Sequence, residues 1–196
     1  MLSTCVVIPC IQKHIPFLNN SIQSVVSQIN TNITSIIVEV SGNTCPNYLE
    51  KGNIQVFCRK NRIFAGAARN SGLKRCPISD YITFLDADDE LLPYSVYRMA
   101  ELMKKSNSTV GLHDYIKKSQ KIINGEKILK YYVNKLPPFL LDAHMGHVTI
   151  SYGIKTRQNE KMKRGQDSEF IKDLVTQKNN VLYTPEKLSI YKQSKE

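Results

Sequence analysis

The chain has 196 residues, 41% of them hydrophobic and 22% charged, and a formal net charge of +10. This length suits one domain with a full core and is too short for two substantial ones, and the composition is that of an ordinary globular protein. No apolar run approaches the roughly 20 residues needed to cross a bilayer as a helix.

The N-terminus carries no leading positive charge and no small-residue cleavage site, so it predicts a strand and neither export nor a membrane anchor. Cys5 to Ile8 is a short apolar run closed by Pro9, the pattern of a buried strand. From Pro16 onward, Leu18, Ile22, Val25, Val26 and Ile29 recur at helical spacing, with Pro16 suited to a first turn. Ile33 to Val40 is a β-branched second strand ending in the turn signal Ser41-Gly42-Asn43. Ile54 to Cys58 predicts a third strand, Ala65 to Arg75 a short Ala-rich helix, and Tyr81 to Leu85 a fourth strand. Pro93 and Ser95 open a helix running to about Lys105, with Val96, Met99 and Met103 on one face.

The second half is less regular. His113 to Ile123 suits a β-hairpin arm before the turn Asn124-Gly125, and Lys127 to Val133 suits strand or helix equally. Val148 to Ile154 alternates as a strand, and Asp167 to Gln177 predicts a helix carrying Phe170, Ile171 and Leu174. The strand–helix alternation of the first 90 residues predicts parallel pairing with right-handed crossovers, hence an α/β fold with a mostly parallel central sheet. No repeat or linker marks a domain boundary. In such sheets ligands sit at the carboxyl ends of the strands.

The chemistry concentrates at those ends. Tyr81-Ile-Thr-Phe-Leu-Asp-Ala-Asp-Asp-Glu runs an apolar strand into Asp86, Asp88, Asp89 and Glu90, which repel one another unless a cation or solvent intervenes. Asp86 and Asp88 are two positions apart and point the same way in extended geometry, roughly 6–7 Å apart. That spacing suits one magnesium or manganese ion bound with a diphosphate; the bland alternative is a solvated acidic loop before a helix. The loop after Pro9 is placed to hold a nucleobase, if Pro9 does more than end a strand. In Asn61 to Gly72 the small residues permit close approach of a helix, and Arg69 supplies a cation for phosphate, ribose or an aspartate. In Arg164-Gly165-Gln166-Asp167, Asp167 is either an N-cap or a carboxylate able to take a proton from a hydroxyl. His144 and His147 are read as ordinary surface or core histidines.

Five cysteines without a CxxC pair suggest reduced, mostly buried thiols of an intracellular protein. Residues 1–100 hold nine Lys/Arg against seven Asp/Glu, and residues 101–196 hold eighteen against ten. The basic second half leaves peripheral attachment to an anionic membrane open. No aromatic-interleaved basic motif points to nucleic acid, which is not expected as a partner.

Taken together, "VVIP", "SVVSQ", "NRIFAGAARNSGLKR", "DYITFLDADDELLP" and the later "GQDSEF" resemble inverting family 2 glycosyltransferases of GT-A fold. The similarity is dense over about residues 4–100 and returns at 147–175. It implies a three-layer sandwich in a single domain spanning 1–196. About 1–92 would bind a nucleotide sugar and about 93–196 would face the acceptor. It implies a nucleoside-diphosphate sugar donor, most often a UDP-sugar, a divalent cation (manganese or magnesium), and a glycan, lipid or protein acceptor. On this resemblance Pro9, Ser41, Arg69, Asp86 and Ala87 belong to the donor site, with Asp86 near the ribose. Asp88 is the metal ligand of a DXD-type motif, Asp89 organises the loop, and Asp167 is the general base.

Two departures stand out. Val40-Ser41-Gly42-Asn43 replaces the usual acid pair after the second strand, which weakens base recognition; Glu39 lies one pleat back. Gln166 replaces the glutamate of an "ED" pair. The competing reading is a catalytically degenerate nucleotide-sugar binder. A nucleotidyltransferase is disfavoured because residues 6–16 lack a glycine-rich phosphate loop with a basic residue. The expected location is cytoplasmic, with attachment to a membrane surface left open; the sequence is silent on oligomeric state.

Overall fold

The computed structural model describes residues 1–123, 126–134, 148–162, 165–177 and 179–192, with the backbone alone for 119–123 and 126–134. The first unit is β1 (Ser3–Ile11), α1 (Ile15–Val26), β2 (Asn32–Ser41), β3 (Ile54–Arg59), α2 (Ala65–Arg75) and β4 (Tyr81–Phe84). The second is β5 (Glu90–Leu91), α3 (Ser95–Lys105), β6 (Val110–Ile123), β7 (Glu126–Asn134), β8 (Val148–Ser151), α4 (Gln166–Thr176) and β9 (Val181–Lys192). The expected turn at Asn124-Gly125, and His144, His147 and Arg164, lie outside the described residues.

The strands form one sheet in the order β3-β2-β1-β4-β8-β6-β9-β5, with β7 paired to β6. β3, β2, β1 and β4 are mutually parallel. Beyond β4 the character changes: β8 is antiparallel to both β4 and β6, β7 is antiparallel to β6, and β5 is antiparallel to β9. Only β6 and β9 pair in parallel there. The sheet is therefore mixed, not mostly parallel. β6 and β7 are separated by residues 124–125 alone, too few for a parallel crossover.

Strand alternation sorts the core into two faces. Val6, Ile8, Val38 and Val40 meet Leu18, Ile22 and Val25 of α1. Cys5, Val7, Ile37, Ile82 and Phe84 meet Leu73 of α2 and Phe170, Ile171 and Leu174 of α4. Phe84 and Phe170 pack edge to face at 6.1 Å between centroids. Gly72 lets α2 settle onto β1, because a Cβ there would overlap the Val7 side chain. Met99, Ala100 and Met103 of α3 cover Tyr81 and Leu188. Among the described residues, no helix is long and apolar enough to cross a membrane.

Three features depart from the sequence reading. Cys5 is bonded to Cys76 and Cys45 to Cys58, so four of the five cysteines are not reduced thiols. The fold sets their Cα atoms 6.0 and 5.7 Å apart, within disulfide reach. Only Cys10 remains a thiol. β9, which has no strand signature around Pro185, is a 12-residue strand. Its register with β6 shifts between His113 and Tyr115, where Thr184 pairs with His113 and Lys187 with Asp114. Pro185 and Glu186 fall in the bulge, where a missing N–H costs no ladder bond. Finally, β1 runs through Pro9 rather than stopping there. Val7 accepts a hydrogen bond from the Leu85 N–H on the β4 side. Pro9, two residues on, faces the same side after β4 has stopped pairing.

His113 is buried in this second half, and its Nδ1 lies 2.9 Å from the Asp114 carbonyl oxygen. Burial lowers its pKa, opposed by that hydrogen bond and the Asp114 charge, and the net value falls from 6.5 to about 4. Above pH 6.5 the group is neutral folded and unfolded. Between 6.5 and 4 only the unfolded chain takes up the proton, so stability must fall as pH falls across that window, by about 3 kcal/mol from this residue. Urea unfolding at pH 7 and pH 4.5 should show the loss, and His113→Gln should flatten it; an equal slope in the variant would contradict the assignment.

Candidate functional site

The carboxyl ends of β1, β2 and β4, with the N-terminal turn of α2, enclose a cavity of about 110 Å³. Pro9, Cys10, Ile11 and His14 line it from β1 and the turn that follows, and Ser41 from β2. Ile63, Ala65, Ala68 and Arg69 line it from the start of α2, and Asp86 and Asp88 from the loop after β4. Five of the residues singled out from sequence, Pro9, Ser41, Arg69, Asp86 and Asp88, thus share one wall system. Ala87 does not line it: the residue is fully buried in the α1-side core, where its carbonyl accepts the Ser21 hydroxyl at 2.7 Å.

Arg69 is the centre of the constellation. It is 2% exposed, on the face of α2 turned toward the strand ends. Its Nη2 donates to Asp86 Oδ1 at 2.6 Å, and its Nη1 donates to Asp167 Oδ1 at 2.7 Å and Gln158 Oε1 at 3.2 Å. Burial pulls the guanidinium's pKa down, and the Asp86 and Asp167 carboxylates more than reverse that, so the net shift is upward. Arg69 is a fixed cation joining the acid after β4 to the acid in the first turn of α4.

The neighbours of Arg69 secure this geometry. Asn70 donates to the Gln158 carbonyl and accepts the Gln158 N–H, at 2.8 and 3.0 Å, clamping the segment before α4 onto α2. Gln166 Oε1 accepts the Gly66 N–H at 2.7 Å, which ties the start of α4 to the start of α2. Gly165, at φ 72°, makes the left-handed turn that sets α4 in place. The glutamine that departs from the "ED" pattern therefore has a structural partner.

The acid loop is fastened from below by a polar stripe along α1. Ser21 Oγ also donates to the Asp89 carbonyl at 2.6 Å, and Ser24 Oγ accepts the Leu91 N–H at 3.1 Å. Gln28 donates to the Leu92 carbonyl and accepts the Val96 N–H, at 2.7 and 3.0 Å. Ser21 and Ser24, three residues apart, lie on one helix face, and Gln28 follows just beyond the helix end. Asp89 turns inward, 1% exposed, and its Oδ1 accepts the Lys192 N–H at 2.8 Å, tying the loop to β9. Burial, then the nearby Asp86 charge, hold its carboxyl well above the usual range. Burial and the Asp88 charge push the Cys10 thiol up to about 12, so it stays neutral.

On the far side of the cavity, Ser41 Oγ accepts the Ile63 N–H at 2.8 Å and holds the β3–α2 loop. Glu39 does not substitute for the missing acid. It is 1% exposed, binds Arg75 at 2.7 Å and lies 3.6 Å from Arg59. His14, which sequence reading passed over, ends the turn Gln12–His14 and places Nδ1 3.5 Å from Asp88 Oδ1. An isolated histidine before a helix carries no sequence signal; only the adjacency of β1 and β4 brings it to the acids.

This α/β architecture is shared with solved structures of S. aureus TarS. The chain aligns with TarS 1–349 in complex with UDP-GlcNAc at a TM-score of 0.74 and 14% identity, covering 100% of this chain and 60% of that one. With the UDP complex the values are 0.72 and 15%, over 98% and 61%, and with the longer TarS structure 0.73 and 15%, over 99% and 37%. The chain thus spans less than two thirds of these proteins. None of the curated proteins searched matches it significantly. The sequence profile of "Glycosyl transferase family 2" matches residues 5–157. The chain belongs to glycosyl transferase family 2.

Removing the central cation leaves two partly buried carboxylates with no counter-charge between them. Arg69→Met should lower unfolding stability by about 3–5 kcal/mol. Adding Asp86→Asn and Asp167→Asn to that variant should restore part of the loss. Urea denaturation of the three proteins checks this; a single variant as stable as wild type would contradict it.

Proposed function

We propose that the chain transfers a sugar from a nucleoside-diphosphate donor, most readily a UDP-sugar, to an acceptor hydroxyl of a glycan, lipid or protein, with inversion at the anomeric carbon. The observation that carries this reading is the pair of hydrogen bonds from one guanidinium to Asp86 and Asp167. They hold a donor-side acid that lines the cavity, Asp86, and a candidate base, Asp167, on one cavity-lining guanidinium. Family membership and the UDP and UDP-GlcNAc complexes of the structural neighbours support it.

In this reading the β1 end, Ser41 and the start of α2 receive the nucleoside, and Asp86 accepts a ribose hydroxyl. Asp167, whose side chain is 24% exposed, has Oδ1 engaged by Arg69. Its other oxygen takes the acceptor's proton as that hydroxyl bonds to the anomeric carbon. The bond to the diphosphate breaks in the same step, and its electron pair leaves with the diphosphate. Arg69 contributes fixed positive potential that needs no reorganisation during the step.

Asp88 would hold a divalent cation. Among the described residues there is no group of three or more His, Cys, Asp or Glu donors. Asp88 lines the cavity, and a lone carboxylate suits an ion that takes one or two protein ligands and completes its shell with diphosphate oxygens and water. When bound, such an ion neutralises charge on the departing diphosphate.

The test is UDP release from UDP-sugars in the presence of manganese, with water or a hydroxyl acceptor. Asp167→Asn should cut turnover by about two to four orders of magnitude while UDP affinity changes little. Turnover that survives the substitution would remove Asp167 from the base role, and no turnover with any sugar nucleotide would favour the degenerate binder.

A further inference from the structure

His14 has two properties that its place in the fold does not explain. Its Nδ1 lies 3.5 Å from Asp88 Oδ1, beyond the 2.7–3.2 Å of a good hydrogen bond. Its Nε2 is buried without a hydrogen-bond partner among the described residues, although His14 lines the cavity. A buried ring nitrogen left in that state costs about 1–3 kcal/mol. The position is nonetheless tightly defined. Gln12–His14 is a single turn leading directly into α1, Pro16 fixes the first turn of that helix, and Gln12 Oε1 accepts the Thr44 N–H at 3.0 Å.

The 3.5 Å separation lies just beyond the spacing of two ligands on one ion. Donors about 2.1 Å from a shared cation lie about 3.0 Å apart at an octahedral right angle and about 3.4 Å apart at a tetrahedral angle. Asp88 Oδ1 and His14 Nδ1 come together from different strands, after β4 and after β1, so no local sequence constraint forces the spacing. Both side chains are mostly buried, at 14% and 19% exposure, so neither has to be drawn in from solvent.

We propose that His14 is the second protein ligand of the divalent cation, coordinating through Nδ1 beside Asp88. This rests on the nucleotide-sugar reading of the cavity. An imidazole ligand biases the site. Magnesium prefers an all-oxygen shell, whereas borderline first-row ions accept nitrogen.

The test reads the metal rather than turnover. Mn2+ bound with UDP to the wild-type chain should show 14N coupling by electron spin-echo envelope modulation, and His14→Gln should abolish it. The same variant should weaken Mn2+ binding on the order of tenfold or more while Mg2+ binding changes little, and the thermal midpoint of the metal-free protein should not fall. His14→Asn serves as a second variant if His14→Gln fails to fold. Tight Mn2+·UDP binding without 14N coupling, or coupling that survives both substitutions, overturns the role of His14 and leaves the nucleotide-sugar reading standing. Absence of any Mn2+·UDP binding overturns both.

Discussion

Arg69 lies 2% exposed at the point where α2, the acid loop after β4 and the first turn of α4 converge. A guanidinium this dry needs anionic partners, because removing an uncompensated charge from water costs several kcal/mol. Asp86 and Asp167 are those partners, and neither alone accounts for the geometry. Because Nη1 and Nη2 diverge at a fixed angle, binding both acids sets the distance and orientation between two segments 81 residues apart in sequence. The surrounding bonds, Asn70 to Gln158 and Gln166 to Gly66, only make sense as support for that fork.

The same logic explains the underside of the site. A loop rich in acids has no apolar anchor of its own, so α1 supplies hydroxyls at Ser21 and Ser24, and the residue after its C-cap, Gln28, supplies an amide, to satisfy its backbone. These bonds free Asp86 and Asp88 to face the cavity while Asp89 is turned inward toward β9. The helix serves the sheet with its apolar stripe and the site with its polar one. The half of the fold from β5 onward meets the site through Asp167 and Gln166 of α4, the segment before α4 and the Lys192 N–H bond to Asp89.

What could be read from sequence follows from how local the responsible forces are. α2 was legible to the residue because its small-residue run and its Arg pattern are local. β4 was legible because an apolar run meeting acids marks a strand end. The mixed sheet was not, since pairing direction beyond β4 depends on which strands insert between β4 and β5, a matter of topology rather than periodicity. β9 was hidden by Pro185 and its bulge. The Cys5–Cys76 and Cys45–Cys58 pairings follow from α2 packing on β1 and from the β2–β3 loop folding back, neither of which spacing reveals. At the site, Asp86, Asp88, Arg69 and Asp167 each have a chemical signature in their own segment. His14 has none, and Ala87, flanked by the acids, is turned into the core.

The most direct measurement of the account is the state of one guanidinium in solution. NMR of the Arg69 side chain, assigned by comparison with Arg69→Lys, should show slowly rotating, separately resolved Nη1 and Nη2 groups. Asp86→Asn should perturb the Nη2 signals and Asp167→Asn the Nη1 signals. A single averaged, fast-exchanging guanidinium signal, or resolved signals indifferent to both substitutions, would contradict the claim that Arg69 joins the two acids.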